Sequence, residues 1–456
     1  MHERIDEKKL SSVKGRQEEA LKLHAFYRGK IEITPKCRIK DIEDLSVWYS
    51  PGVAAPARDI AENPREVYTH TNKGNTVAIV TDGSRVLGLG NIGPKGALPV
   101  MEGKALLFKY LGGVDAIPLC INTENPEEII KFCRWIEPGF GAISLEDIEK
   151  PKCFTIVERL REELDIPVWH DDQLGTATVT LAAIINSLKL VGKNKKDVKI
   201  SMIGAGSANV TIFRLMTEYG FPPQNIVVVD TRGIIYRGRE DIKNPENVKK
   251  KEIAEVSNRE DIRGSVPEAM KDADICIAFS MPGPGIIKKE WVSSMASDAI
   301  VIAGANPIPE IWPWEAKEAG ARVVATGRSD FPNQVNNSLV FPAILRGALD
   351  VMAAEITDGM AIAAAEEVAG FAQERGISEE YIIPTMEDWD VYPREAAAVG
   401  IKAMNEKVAR VKKTREELIK NATMIIKRAR KETEVLMNYG IIPMPVEESE
   451  KSEKSA

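Results

Sequence analysis

The sequence predicts an α/β protein of two domains, one of them built on a largely parallel sheet. Two observations lead to this. Short β-branched runs alternate with helical stretches from residue 76 to about 333, as a parallel sheet with crossover helices requires. The chain has 456 residues, more than a single hydrophobic core ordinarily organises.

The elements follow in order. Residues 1–44 read as polar helices suited to a subunit or domain surface. A β-branched run at 76–79 leads into the turn Thr81-Asp82-Gly83-Ser84 and a glycine-rich loop over 88–96. Helices are predicted over 101–110, 127–135 and 153–164, and strands over 116–121, 141–144 and 167–169. Three acidic motifs close strands: Asp82, Glu146-Asp147 and Asp171-Asp172. In parallel sheets, ligands bind beyond the carboxyl ends of the strands. The character changes after Gly175. A helix over 176–190 leads through the polar turn 192–197 into a strand at 198–203, with further strands at 226–229, 275–279, 299–302 and 323–325. The domain reading is 1–175 for a catalytic, metal-binding domain and 176–333 for a nucleotide-binding one. Residues 334–445 form a helical return to the first, with helices over 339–372 and 406–436. The tail 446–456 is low-complexity and expected to be disordered. No internal repeat is found.

Composition excludes several classes. A net charge of −7 and a pI near 5.5 lack the basic face of a nucleic-acid binder. Cys37, Cys120, Cys133, Cys153 and Cys276 contain no C-x-x-C pair, and an odd, sparse set is no disulfide framework, so a reducing cytoplasm is expected. The polar N-terminus lacks the apolar core of a secretory signal. No membrane span is expected, since the most apolar run, 177–191, is interrupted by Thr, Asn, Ser and Lys. The expected partner is a small-molecule substrate.

The turn Gly204-Ala205-Gly206-Ser207-Ala208-Asn209 follows a strand and opens a helix, the Rossmann-like setting for a dinucleotide. Gly204 permits the tight turn. Gly206 lets the backbone approach a pyrophosphate, which the free N–H groups of the helix N-terminus attract. Asp230 ends the next strand, 24 positions after Gly206, and would accept hydrogen bonds from ribose hydroxyls. Asn209 stands where Gly or Ala is expected, which puts close helix–strand packing in question but not the phosphate turn. Asp230 would repel a 2′-phosphate and favours NAD. Arg232, two residues on, could offset it and leaves NADP open.

Adjacent residues in a strand point to opposite faces, so both members of an acidic pair reach one metal only where the strand has ended. Glu146-Asp147 and Asp171-Asp172 stand at such ends. Carboxylates with waters and substrate oxygens suit octahedral Mg²⁺ or Mn²⁺. There is no Cys/His cluster at zinc spacing, and the four histidines are His2, His24, His70 and His170. His170 reads as structural. Paired acids also occur in solvated loops and at helix starts, so the pairs alone do not decide for a metal.

Seven motifs together resemble the malic enzyme family, in its short prokaryotic form. Tyr49-Ser50-Pro51-Gly52-Val53-Ala54-Ala55-Pro56 is similar to its tyrosine motif, Arg85-Val86-Leu87-Gly88-Leu89-Gly90 to its substrate-arginine motif, and Pro99-Val100-Met101-Glu102-Gly103-Lys104-Ala105-Leu106 to its catalytic-lysine motif. Leu145-Glu146-Asp147 and Asp171-Asp172-Gln173-Leu174-Gly175-Thr176-Ala177 resemble its two metal motifs. Gly304-Ala305-Asn306-Pro307 and Asn333-Gln334-Val335-Asn336-Asn337 resemble its asparagine motifs. They run in family order from about 49 to 347. The first 40 residues and those beyond about 400 carry no such motif.

The resemblance implies oxidation and decarboxylation of malate to pyruvate, with NAD or NADP, a divalent metal and a homodimer. It assigns Lys104 as the base for the C2 hydroxyl, a role that calls for a pKa lowered by burial and a nearby cation. It assigns Glu146, Asp147 and Asp172 as metal ligands, a metal there acting as a Lewis acid on the enolate oxygen. Asp171 would orient Lys104, and Tyr49 would protonate the enol. Arg85 would pair a substrate carboxylate. Asn306 and Asn337 would donate neutral hydrogen bonds, and Asn336 less surely, since neighbours do not both point inward. Three other readings stand beside this one: a malolactic enzyme that retains NAD and releases lactate, a metal-free malate dehydrogenase, and a non-catalytic NAD(H)-sensing protein.

Overall fold

A computed structural model describes residues 2–86, 88–244 and 247–445, with side chains from residue 15 onward. Leu87 of the arginine motif and the tail 446–456 lie outside the described residues.

Two sheets organise the chain. The first holds β1 (Thr76–Thr81), β2 (Asp115–Cys120), β3 (Ala142–Leu145) and β4 (Val168–His170), all parallel, in the order β2-β1-β3-β4. The second holds β5 (Ile200–Ile203), β6 (Ile226–Asp230), β7 (Gly233–Ile234), β8 (Ile275–Ala278), β9 (Ala299–Ala303) and β10 (Ala321–Thr326), in the order β10-β9-β8-β5-β6-β7. Only β7 runs antiparallel, against β6. It is two residues long and has no apolar run to announce it.

Both sheets are covered on two faces, which is why their strands are mostly apolar. In β1, Val77 and Ile79 face the large central core, while Ala78 and Val80 face a smaller one with Ile143 and Leu145. In the second sheet, Ile275 and Ile277 enter the central core and Cys276 and Ala278 the opposite layer. This is the period-2 alternation of a strand. The helix Gly93–Gly112 crosses from β1 to β2, Pro126–Ile136 from β2 to β3, and Lys152–Glu163 from β3 to β4.

The apolar helix Thr176–Val191 continues directly from the acidic turn after β4 and leads to the second sheet. Counted from Asp171, the stretch to Val191 meets the length and composition of a membrane span, contrary to the sequence reading, but most of it is buried inside the fold.

The predicted helix over 101–110 starts earlier, at Gly93. The predicted 339–372 helix breaks into Phe341–Asp350 and Asp358–Arg375, and the terminal one begins at Arg415, where Thr414 and Glu417 form a capping box. The helix Val391–Asn405 was not foreseen. Phe341–Asp350 and Arg415–Asn438 both pack on Gly93–Gly112.

Candidate active site

The site grows from three loops at the carboxyl ends of β1, β3 and β4. After β1, Asp82 Oδ1 accepts hydrogen bonds from Ser84 N–H at 2.9 Å and Ser84 Oγ at 2.7 Å. Ser84 Oγ in turn accepts the Glu149 N–H at 3.0 Å, and the Arg85 N–H donates to the Asp147 carbonyl at 2.9 Å. Lys152 Nζ lies 2.7 Å from Asp82 Oδ2. The arginine loop is thereby tied to the loop carrying Glu146 and Asp147. Its far end lies against the asparagine loop: a Cβ at Gly88 would stand 3.2 Å from Pro307 Cδ. Asn306 packs over Gly327, where a Cβ would come within 2.5 Å of Nδ2.

At the centre, Lys104 reaches from the middle of Gly93–Gly112. Its Nζ lies 2.5 Å from Asp171 Oδ2, 3.4 Å from Glu146 Oε2 and 4.5 Å from the centre of the Phe341 ring. The lysine side chain is 15% exposed, against 0% for Asp171 and 2% for Glu146, so this pairing takes place out of bulk water. Asp171 Oδ1 accepts the Trp169 indole N–H at 3.1 Å, and Oδ2 also accepts from the Asn337 amide. Glu146 Oε1 accepts from Ser144 Oγ at 3.0 Å. Asp172 Oδ2 accepts the Asp147 N–H at 3.0 Å, with Asp147 at φ +53°, a left-handed conformation that costs a non-glycine residue energy and gathers at functional sites. The turn Asp171–Gly175 is π-helical. Such bulges recur at functional positions.

The protein's own groups supply only one of the two influences expected to lower the Lys104 pKa, burial, and oppose it with carboxylates. Burial works to lower its pKa, but Asp171 and Glu146 outweigh burial and hold it above the ordinary lysine value. Burial pushes the Glu146 carboxyl well up, and the neighbouring acids Asp171, Asp172 and Asp147 add to that. His170 is buried, neither ring nitrogen is hydrogen-bonded, Nδ1 lies 3.9 Å from Asp172 Oδ2, and burial lowers its pKa against the pull of Asp172. Asp171 and Glu146 thus share one ammonium, with Asp172 and Asp147 adding negative charge around Glu146.

A hard divalent cation suits that surplus of negative charge and its oxygen donors. Glu146, Asp147 and Asp172 do not, however, bring one oxygen each within 4.8 Å of one another. Among the described residues the set that does is Asp59, Glu66 and His70, on the surface.

The asparagine motif divides in two. Asn337 reaches Asp171, whereas the Asn336 side-chain Oδ1 accepts the Ser338 N–H at 2.9 Å and caps its own turn. The Asn336 amide oxygen is thus engaged with the backbone of its own turn. Tyr49 is not in the cluster. It caps the helix Ile42–Trp48 and is 76% exposed.

In the second sheet, Gly204 has φ +105°, and a Cβ there would stand 2.8 Å from the Phe279 carbonyl. Gly206 has open space at its Cβ, and no side chain caps the helix Ser207–Tyr219, which leaves its first N–H groups to an anion. Ala205 is buried, and Ser207 and Ala208 form the first turn. Asn209 does not disturb the packing. Its buried Nδ2 donates to the carbonyls of Ile203 at 2.8 Å and Gly204 at 2.9 Å, pinning helix to strand.

Asp230 ends β6 as expected, but its oxygens are occupied. Arg239 grips both at 2.9 and 2.6 Å, Lys250 reaches Oδ2 at 2.8 Å, and the Arg232 N–H donates to Oδ1 at 2.9 Å. Burial works against the charge, but these donors prevail and hold the carboxyl at about 2. Arg232 itself is 70% exposed. Sequence reasoning missed Arg239, Lys250 and Lys152, because nothing in their spacing marks them. It missed Trp169 as well, because the chain turns into a π-helix at Asp171 and strand alternation does not carry across that turn.

The sequence profile of the malic enzyme N-terminal domain matches residues 28–131, and that of the malic enzyme NAD-binding domain matches 174–405. The chain is 50% identical over 402 residues to a bifunctional malic/malolactic enzyme of Bacillus subtilis, covering 88% of this chain and 96% of that protein. It is 49% identical to an NAD-dependent malic enzyme of Geobacillus stearothermophilus, covering 84% of this chain and 78% of the other. With an NADP-dependent malic enzyme of Rhizobium meliloti the identity is 44%, over 86% of this chain and 53% of that protein. Among solved structures, the malic enzyme of Entamoeba histolytica superposes with a TM-score of 0.92 at 48% identity, covering 94% of this chain and 90% of that one.

Proposed function

The chain belongs to the malic enzyme family, and from that premise we propose that it oxidises malate and decarboxylates it to pyruvate and CO₂ with reduction of NAD(P), dependent on a divalent metal. One observation carries this reading: a buried lysine held between Asp171 and Glu146 at the carboxyl edge of a parallel sheet. For this reading the division at 1–175, 176–333 and 334–445 is kept.

Lys104 takes the proton of the C2 hydroxyl, with Asp171 and Asn337 fixing where its Nζ sits, and a bound NAD(P) would serve as the hydride acceptor. In the Lys104 ammonium state, Asp171 and Glu146 hold the proton strongly. The base form is reached only when part of that negative charge is neutralised. Glu146, Asp147 and Asp172 would hold the metal, which when bound supplies Lewis-acid stabilisation of the oxygen on which charge develops. Arg85 pairs a substrate carboxylate with its planar fork, and Asn306 donates a neutral hydrogen bond. Asn336 is left out. Tyr49 gives the proton to C3 of the enol.

Two finer points belong to the same proposal. The adenosine pocket accepts NADP as well as NAD, because Arg239 and Lys250 cancel the Asp230 charge and Arg232 extends outward beside it. The working unit is a homodimer in which Tyr49 serves the partner's site. Supporting this, no side chain between residues 15 and 72 is buried in one chain. That arm carries exposed Ile33, Ile42, Val47 and Trp48, while Leu98 and Leu106 stand exposed on the lysine helix.

The deciding assay follows pyruvate and NAD(P)H from malate, with and without EDTA. Equal pyruvate and reduced cofactor, lost in chelator and restored by Mg²⁺ or Mn²⁺, is expected. Lactate with no free NADH would instead establish the malolactic reaction, a second reading favoured by the name of the Bacillus subtilis relative. Mixing Tyr49→Phe chains with Lys104→Ala chains tests the shared site. Up to a quarter of normal activity should return, one intact site per mixed dimer, and none would overturn it.

A further inference from the structure

Asp171 is the node on which Lys104 depends, and its two oxygens are held unequally. Oδ2 receives Lys104 and Asn337, both from outside its own strand segment. Oδ1 receives a single side-chain donor, the indole N–H of Trp169 at 3.1 Å. Trp169 lies in β4 and Asp171 opens the π-helical turn directly after it, which brings the indole to the carboxylate. Trp169 is fully buried, packed in the central core with Phe108 and Phe341. Its ring has no freedom to follow a moving acceptor.

That asymmetry matters because the last torsion of an aspartate is broad and roughly two-fold. The backbone therefore does not decide how the carboxylate plane lies. Donors at both oxygens are needed to fix it. Lys104 and Asn337 are themselves on rotatable chains, and either would follow the carboxylate if it turned. The indole is the rigid member of the set. A buried Oδ1 without it would be left unsatisfied, and the carboxylate would turn to share the donors at Oδ2.

We propose that Trp169 is a positioning residue: its indole N–H fixes the Asp171 carboxylate and, through it, the place of the Lys104 Nζ. The inference rests on the reading of Lys104 as the base.

The test separates the N–H from the ring. Replacing Trp169 by its benzothienyl analogue keeps the shape and substitutes sulfur for N–H, while Trp169→Phe removes both the N–H and half the ring. Both variants are expected to lower kcat about tenfold, the order expected for losing a hydrogen bond to a charged group. KM for malate and the affinity for Mn²⁺ should stay within about twofold. The sulfur analogue should keep the parent melting temperature, which sets the positioning effect apart from loss of packing. In an Asp171→Asn background the sulfur analogue should cost nothing further, since two changes acting through one group are not additive. Parent kcat in the sulfur analogue would overturn the inference, as would a full tenfold loss on top of Asp171→Asn. Failure of the base assignment is distinct from both: it would show as retained turnover in Lys104→Ala.

Discussion

Gly175→Ala tests the catalytic cluster through a single methyl group. Gly175 sits at φ −62°, ψ −49°, an ordinary helical conformation. Alanine is therefore unstrained there and has the better helix propensity, by up to about 1 kcal/mol. The cost is local. A Cβ at 175 would overlap Asp171 Oδ1 and stand 2.9 Å from its Cγ and 3.0 Å from Asn337 Cβ, where 3.4–4 Å is ordinary contact. The carboxylate must retreat by roughly half an ångström at Cγ and more at Oδ1. Lys104 Nζ, now 2.5 Å from Oδ2, then loses its alignment. A misplacement of about 1 Å costs on the order of 10²-fold in rate. The expected outcome is a kcat for malate about 10²-fold down, with NAD(P) affinity unchanged and a melting temperature within about 3 °C of the parent. A kcat within threefold of the parent, in protein that binds cofactor normally, would refute the reasoning. It would mean that the Asp171 carboxylate can move without consequence.

Three further predictions follow from other parts of the site. Asp230 has its carboxyl pKa depressed to about 2, so its pairing stabilises the fold above the unfolded value of 3.8 and that contribution fades as pH falls through 2. Asp230→Asn should cost about 1–2 kcal/mol at pH 7 and roughly half as much at pH 3, read from urea midpoints; an equal cost at both pH values would show that the carboxylate charge is not the cause. Removing both Lys250 and Arg232 by substitution to Ser should lower kcat/KM for NADP at least tenfold relative to NAD, the scale of one or two charge-assisted contacts. An unmoved ratio would place the 2′-phosphate elsewhere. Asp172→Ala should abolish Mn²⁺-dependent turnover while leaving cofactor binding intact by titration calorimetry, and turnover at the parental rate would remove Asp172 from the metal site.

The two sheets were legible in the sequence because strands buried on both faces are mostly apolar runs, as in Ala299–Ala303 and, with one buried serine, Ile200–Ile203. The turn glycines were legible for a different reason. Gly204 is constrained by its own backbone, at φ +105°, and such constraints appear as residue identity. Lys104, Asp171 and Asn337 were legible only as separate motifs. Their convergence joins positions 67 and 166 apart and left no local trace. Without a cation at the cluster, Asp171 and Glu146 raise the Lys104 pKa, and neither carboxylate's nearness is written in the sequence around the lysine. Arg239 and Lys250 were invisible for the same reason, because an ion pair is a property of spatial neighbours. The helix Val391–Asn405 was passed over because its alanines and single proline carry no marked amphipathic period. Tyr49 was legible as a motif, but its place apart from the Lys104 cluster within one chain was not.

The acidic turn that begins at Asp171 runs without interruption into the helix Thr176–Val191, which delivers the chain to the second sheet. For anyone recombining modules, the obvious seam at Gly175 is therefore a poor breakpoint. A crossover there would pair a donor helix with a foreign Asp171 and a foreign Trp169, and the methyl-scale tolerance around Gly175 would be matched only by accident. A splice placed in the exposed segment before β4, near Asp165, would carry the tryptophan, both acids, the glycine and the helix as one cassette. The heritable unit of cofactor exchange in this fold begins about ten residues before the nucleotide-binding part does.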